Sequence, residues 1–526
     1  MFQAIISEYQ LTYQSSNLKK MKKHLLPSLL LTGLAGSVLA NPDTPNIIFI
    51  LADDMGYGDV SYLNPSSRIK TENLDRMAGE SVVFLDAHSS SSVSTPTRYG
   101  ILTGRYNWRS TLKSSVLDGY SKALIPSGRE TLASMLKKQG YQTAAIGKWH
   151  LGWDWNNIES GIDKVDFSQP ITHGPTTLGF DYFYGFSGSL DMPPYVYVEN
   201  DRPTMTPDRN TENKGKYSWW RNGPTSPDFH HEEVLPHLTD KACAYIHSQS
   251  KSSAPYFLYL PLPAPHTPIL PSEEFRGKSG IGEYGDFVLM VDAMVGKILK
   301  AVRESGEEEN TIIVFTTDNG CSPAAGIDEM EKLGHHANHI YRGHKSDLFD
   351  GGHRIPCMIR WKGEFRPHSV AQTICLTDFY ATFAAINQYQ LKDSEGEDSY
   401  NLLPAIRSID EIPAIREATV HHSIDGEFTI RQGKWKLLFS ASSGGWSSPK
   451  PQDKALLKGL PAMQLYDMNA DPRERRNLVN EYPEKVRELQ EIMWRYIKDG
   501  RSTPGQPQPN NPCDKWEQIK AISAGK

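Results

Sequence analysis

Two acidic pairs stand where a sheet protein keeps its chemistry. Asp53 and Asp54 follow directly on the apolar run Asn46-Ile-Ile-Phe-Ile-Leu51, and Asp318 and Asn319 follow the run that ends at Thr316. Each pair alone also reads as a turn or a helix cap, because Asp and Asn side chains bond nearby backbone. Together, four oxygen-bearing side chains from two strand ends can converge on one hard cation. Ligation by oxygen without His or Cys favours Ca²⁺ or Mg²⁺ over zinc. A third segment, Ser94-Thr-Pro-Thr-Arg98, reads by itself better as a Ser/Thr-rich loop capping a helix than as a site.

That pentapeptide continues as Tyr99-Gly-Ile-Leu-Thr-Gly-Arg105. Here the chain resembles the formylglycine-dependent sulfatases of the alkaline phosphatase superfamily. Their motif is Cys or Ser, any residue, Pro, any residue, Arg, with Leu-Thr-Gly-Arg close behind. The resemblance implies that Ser94 is oxidised to formylglycine, in the serine form of the motif, by a radical-type maturation enzyme typical of bacteria. Further family motifs follow in the family's order. Gly147-Lys-Trp-His-Leu-Gly152 carries Lys148 and His150, Pro265-His-Thr-Pro268 carries His266, and Arg342-Gly-His-Lys-Ser-Asp-Leu-Phe-Asp-Gly-Gly352 carries Lys345.

On that resemblance, Asp53, Asp54, Ser94, Asp318 and Asn319 hold the cation. Arg98, Lys148 and Lys345 hold and neutralise the sulfate where transition-state charge builds up. His266 is the expected general acid on the departing alcohol, and His150 the partner of the second hydroxyl during sulfate release. The hydrate of an aldehyde offers two hydroxyls: one attacks sulfur, and loss of the other's proton lets C–O cleavage expel sulfate. A plain serine could be sulfated but would have no such internal exit.

Substrate residues are expected in the Gly174-Pro-Thr-Thr-Leu-Gly-Phe-Asp-Tyr-Phe-Tyr-Gly185 stretch and beyond it. His173, Asp191, His353, Arg354, His421 and His422 are the polar candidates to face a sugar, with turns and supporting contacts as their alternative role. Gly351-Gly-His-Arg354 and Val420-His-His-Ser423 resemble sulfatases of galactose or N-acetylgalactosamine sulfates, and a 6-O-sulfate is the favoured position. Two other readings stand beside this one. A phosphatase or phosphodiesterase of the superfamily would want two zinc ions and a His where Asn319 stands. A non-catalytic protein that binds sulfated sugars would follow if Ser94 stays unmodified.

These residues need a scaffold that brings strand ends together. From Pro45 to about Arg416, short apolar runs alternate with helical patterns, which predicts an α/β domain (41–416) with a large, mostly parallel sheet flanked by helices. Its clearest strands are Asn46–Leu51, 142–146, 256–260 and 311–316. Ligands of such sheets bind beyond the strands' carboxyl ends. The segment from Asp154 to Glu233 is expected as a long functional loop. After Arg416, short alternating strands and a helix from Pro483 to Lys498 predict a smaller antiparallel-sheet subdomain, 417–526, with Val486, Leu489, Met493 and Tyr496 on the packing stripe.

The basic and apolar start predicts a signal peptide cut after Ala40, with Met21 the better start and residues 1–20 an upstream over-call of it. Export to the periplasm or cell surface follows, and no integral membrane segment is expected. Removing residues 1–40 takes Lys19, Lys20, Lys22, Lys23 and Glu8, so the formal charge falls from −6 to −9 and no nucleic-acid surface is implied. Five cysteines without a CxxC pair do not make a disulfide framework.

Overall fold

The computed structural model describes residues 44–158, 164–512 and 516–523, which fall within one compact unit spanning 39–526. The expected signal peptide lies outside the described residues. Strands β1 (Asn46–Ala52), β2 (Val82–His88), β3 (Gln142–Lys148), β4 (Tyr182–Phe186), β5 (Val198–Glu199), β6 (Arg202–Pro203), β7 (Arg209–Asn213), β8 (Trp220–Thr225), β9 (Tyr256–Pro261), β10 (Thr311–Thr317), β11 (Cys357–Arg360) and β12 (His368–Cys375) alternate with helices. All but β7 and β8, which pair as a hairpin, form a ten-stranded sheet in the order β12-β2-β11-β10-β1-β9-β3-β4-β5-β6. Only β11 and β5 run against the rest.

The core explains why these segments are strands. β1 is buried along its whole length, as a central parallel strand covered on both faces must be. Its side chains alternate: Ile48 and Ile50 pack toward helices Val234–Gln249 and Glu283–Glu304, while Ile47, Phe49 and Leu51 pack toward helices Ser94–Thr103, Leu132–Lys138 and Asp378–Ile386. The register sets Ala52 beside Thr317, Leu51 beside Pro261 and Lys148 beside Phe186. The carboxyl ends of β10, β1, β9, β3 and β4 therefore share one edge.

The segment expected as a long loop is more ordered than its composition suggests. It contributes β4 to the main sheet and the β7–β8 hairpin. The strand is hidden because Tyr182-Phe-Tyr-Gly-Phe186 is rich in glycine and aromatics. Its Gly185 is needed for close pairing, since a Cβ there would meet the Gly147 carbonyl oxygen at 1.9 Å.

β13 (Thr419–His422), β14 (Phe428–Gln432), β15 (Trp435–Leu438) and β16 (Gln464–Asp467) form a second, antiparallel sheet in that order. The helix Pro483–Asp499 covers it with the expected stripe plus Ile492 and Ile497, and ends at Gly500 in the left-handed conformation (φ 63°). Trp108 packs edge-on to Phe428, ring centroids 5.4 Å apart, and joins the two sheets in a shared core. Among the described residues, no helix is long and apolar enough to cross a membrane.

Candidate functional site

The shared sheet edge assembles the site strand by strand. Asp318 and Asn319 leave β10, Asp53 and Asp54 leave β1, His266 follows β9, Lys148 closes β3 with His150 beyond it, and Ser189 and Asp191 follow β4. Ser94 opens the helix Ser94–Thr103 and Arg98 lies one turn later on the same face. Asp54 and His150 hold positive φ (65° and 54°), a conformation Asp and His tolerate better than most residues but one that costs energy.

Ser94 Oγ donates to Asp318 Oδ2 at 2.5 Å and to Asp53 Oδ1 at 3.3 Å, and accepts from Lys148 Nζ at 3.4 Å. Arg98 Nη2 reaches Asp318 Oδ2 at 2.9 Å and Asp53 Oδ1 at 3.4 Å. Lys148 Nζ donates to Asp53 Oδ2 at 2.7 Å and Ser189 Oγ at 3.2 Å. Lys345 Nζ donates to Asp54 Oδ2 at 2.8 Å, and Asn319 Nδ2 donates to Asp54 Oδ1 at 2.7 Å. His266 sets Nε2 3.6 Å from Asp54 and Nδ1 4.0 Å from Asp191.

Charge pairing decides the protonation states. Burial would raise the Asp53 carboxyl, but Lys148, His266 and Arg98 overcome it and hold it at about 2. Lys148 moves the other way: burial lowers it, and Asp53 only partly offsets this. Burial also works against Lys345, yet Asp54, Asp53 and Asp318 raise it. His150 is held well below the usual imidazole range by burial and by Lys148 and Arg98. Its Nε2 lies 2.7 Å from the Leu117 carbonyl, which can only accept, so Nε2 carries the proton. Neutral His150 therefore keeps a bare Nδ1, which is buried and has no partner.

The donors fit a hard dication. Asp53, Asp54, Asp318 and the Ser94 hydroxyl bring oxygens together, and Asn319 Oδ1 is a buried acceptor without a partner. Such an all-oxygen set suits calcium. Three carboxylates face three cations, Arg98, Lys148 and Lys345, so a bound dication would leave the site positive and suited to an anion. A cavity of about 220 Å³ opens onto it, lined by Ser94, Asp54, His150, Asp191, His266 and Lys345, with Met192, Trp219, Arg221, Ile424 and Trp446 around them. A buried hydroxyl held between carboxylates and cations in the lining of a cavity is the arrangement that anionic-ester hydrolysis requires.

The sulfatase family profile matches residues 45–388. The chain belongs to the sulfatase family. It is thus a sulfuric ester hydrolase, and the ten-stranded sheet with its small antiparallel companion is the sulfatase fold. It is 32% identical to an N-acetylgalactosamine-6-O-sulfatase of Bacteroides thetaiotaomicron, over 89% of this chain and 97% of that one. It is 31% identical to the N-acetylgalactosamine-6-sulfatase of Homo sapiens, over 69% of this chain and 66% of that one. A structure solved in work on metabolism of multiple glycosaminoglycans by Bacteroides thetaiotaomicron superposes with a TM-score of 0.75 at 31% identity, covering 86% of this sulfatase and 99% of that chain.

The residues expected at the metal and catalytic positions of this sulfatase come together at the one edge. Those expected to face a sugar mostly do not. Asp191 lines the cavity, where it is paired with Arg221. His173 is an exposed residue on Asp154, 2.6 Å away and outside the cavity lining. His353, His421 and His422 are buried, and Arg354 is tied to Asp86 at 3.0 Å with its guanidinium over the Tyr341 ring. The expectation that these five face a sugar is corrected: none of them lines the cavity, His353, His421 and His422 because they are buried in the interior, Arg354 because Asp86 holds it, and His173 because it stands exposed elsewhere, and residue type could not reveal that. Trp219, Arg221 and Trp446 line the cavity without having been singled out. For Trp219 and Arg221 the signal was the Trp219-Trp-Arg221 run inside an aromatic segment, and Trp446 had none.

Proposed function

We propose that this sulfatase removes the 6-O-sulfate of an N-acetylgalactosamine or galactose residue, with a formylglycine made from Ser94 and a bound calcium ion. Calcium, held by Asp53, Asp54, Asp318, Asn319 and residue 94, would supply positive charge next to the sulfate oxygens. Formylglycine would supply an attacking hydroxyl and a second hydroxyl whose deprotonation frees the sulfate. Arg98, Lys148 and Lys345 then neutralise the anion inside a water-poor pocket, where such pairing is strong. His266, at the cavity wall between Asp54 and Asp191, is placed to protonate the leaving sugar oxygen. His150 is placed to take a proton at Nδ1, the nitrogen it keeps free.

The observation that carries this reading is the Ser94 hydroxyl held at 2.5 Å from Asp318 on the floor of the cavity. The sugar follows from the relatives, two of which are named for N-acetylgalactosamine 6-sulfate. At about 220 Å³ the cavity is smaller than the roughly 300–1,000 Å³ of drug-sized ligand sites, which suits one sulfated sugar rather than a run of them. Export behind a leader cut after Ala40, and maturation by a separate oxidising enzyme, belong to the same reading.

The test uses protein from a host that carries a serine-type maturation enzyme. The peptide around residue 94 should be about 2 Da lighter than its sequence mass. Sulfated mono- and disaccharides that differ only in sulfate position should show release from O6 first. An unmodified Ser94 in active protein overturns the nucleophile, and a preference for another position overturns the substrate.

A further inference from the structure

Behind the catalytic edge, three histidines from separate elements meet in the interior. His88 ends β2, His353 ends the short helix Asp350–His353, and His421 lies in β13. They are 0%, 1% and 1% exposed, and the His353 and His421 rings stack with centroids 4.2 Å apart. One nitrogen from each ring lies within 4.8 Å of the other two.

The hydrogen bonds show which ring nitrogens are already engaged elsewhere. His353 Nε2 lies 3.0 Å from the Leu348 carbonyl and His421 Nδ1 lies 2.7 Å from the Ser89 carbonyl. Carbonyls only accept, so both nitrogens carry protons. His88 Nε2 lies 2.8 Å from Asp86 Oδ1, and that carboxylate also pairs with Arg354 and Arg431, each at 3.0 Å. It too accepts, so His88 Nε2 is a donor. What remains is His88 Nδ1 and His353 Nδ1, 2.8 Å apart, and His421 Nε2, a buried nitrogen with no partner.

Three neutral rings within this cluster would thus keep three lone pairs without donors of their own in a dry interior. A proton shared between His88 and His353 satisfies two of them and leaves His421 bare. A metal ion satisfies all three. We propose that His88, His353 and His421 bind a zinc ion, separate from the calcium site. Imidazole suits zinc, and three protein nitrogens leave a fourth place for water. The outer contacts are those of a metal site: each ligand ring donates its other N–H to a carboxylate or a backbone carbonyl, which fixes its tautomer and orientation. At Zn–N distances of about 2.0–2.1 Å, tetrahedral nitrogens stand about 3.3 Å apart, so His88 and His353 part by about half an ångström on binding.

The ion's place gives it a structural task. The Ser89 backbone N–H donates to the His353 carbonyl at 2.8 Å, and the Ser92 carbonyl accepts from the Ser346 backbone N–H at 2.9 Å. The loop from His88 leads within a few residues to Ser94, and His353 closes the segment that carries Lys345. Zinc would clamp both, and β13 with them, just behind the nucleophile.

Elemental analysis of wild-type protein purified without chelators tests this. One zinc per chain is expected besides calcium, and X-ray absorption at the zinc edge should show a first shell of nitrogens from imidazole. His421→Gln, which keeps a polar group in the space, should lower zinc affinity at least about 10-fold while calcium content stays unchanged. If that variant does not fold, the metal-stripped wild type titrated with zinc alone decides, since saturable one-to-one binding through imidazole is required. Wild type that contains no zinc and takes up none overturns the proposal, as does zinc that is lost with Asp318→Asn and kept by His421→Gln.

Discussion

In the proposed mechanism turnover depends on Ser94, and the fold does not. Its hydroxyl is one oxygen among several around the carboxylates, and Asp318 and Asp53 keep Arg98 and Lys148 when it is removed. Ser94→Ala should therefore abolish sulfate release and change stability by no more than about 3 kcal/mol, the upper worth of a hydrogen bond to a charged group. Paired measurements of sulfate release and of the denaturation midpoint check both halves, and wild-type-like turnover would refute the role. His266→Ala should be read against leaving-group chemistry. A general acid matters most when the departing oxygen is a poor leaving group, so loss of about 10²–10⁴-fold is expected on sugar sulfates and far less on activated aryl sulfates. Equal losses on both would remove the assignment. At this scale much of the site was legible, because the acidic pairs, Lys148 and His150 fall directly after apolar runs and the Ser94–Arg105 motif is specific. The buried histidines were not legible, since a Gly-Gly-His-Arg or His-His-Ser string carries no sign of whether its ring faces solvent, sugar or interior.

Elements position these residues through glycines as much as through apolar packing. Gly147 lies one residue before Lys148 with φ 137°, and a Cβ there would meet the Pro261 carbonyl oxygen at 2.0 Å. β3 and β9 cannot separate to admit it without moving Lys148 and the loop that leads to His266. Gly147→Ala should thus cost about 1–3 kcal/mol in backbone strain alone and reduce kcat as well, because the lysine shifts with the strand. Thermal melting and steady-state kinetics on the same preparation check this, and a fall in stability with kcat unchanged would separate strand geometry from Lys148 placement. The parallel strands with apolar runs were readable before the structure, since a strand buried on both faces must be continuously apolar. β4 was not, because its aromatic and glycine content matches that of a loop. Its strand character comes from pairing with β3, a contact between residues far apart in sequence.

For the whole molecule, the two proposed ion sites make separable demands. Three carboxylates and three cations leave the catalytic edge balanced without calcium, so the pocket should survive ion removal while losing its pull on an anion. Without zinc the three histidines would leave the buried His421 Nε2 without a partner, which is a stability defect in the proposed clamp behind Ser94 rather than a charge defect at the substrate. A ligand at 100 times its Kd stabilises the folded state by about 2.7 kcal/mol, enough to read as a shift in Tm. Protein stripped of both ions and freed of chelator should therefore respond differently to each one returned. Calcium alone should restore most turnover and part of the Tm, zinc alone should raise the Tm with almost no turnover, and both together should give the full values. Turnover restored by zinc alone would place the catalytic ion in the wrong class, whereas a Tm that responds to calcium and ignores zinc would leave the histidine cluster as a proton-sharing core and nothing more.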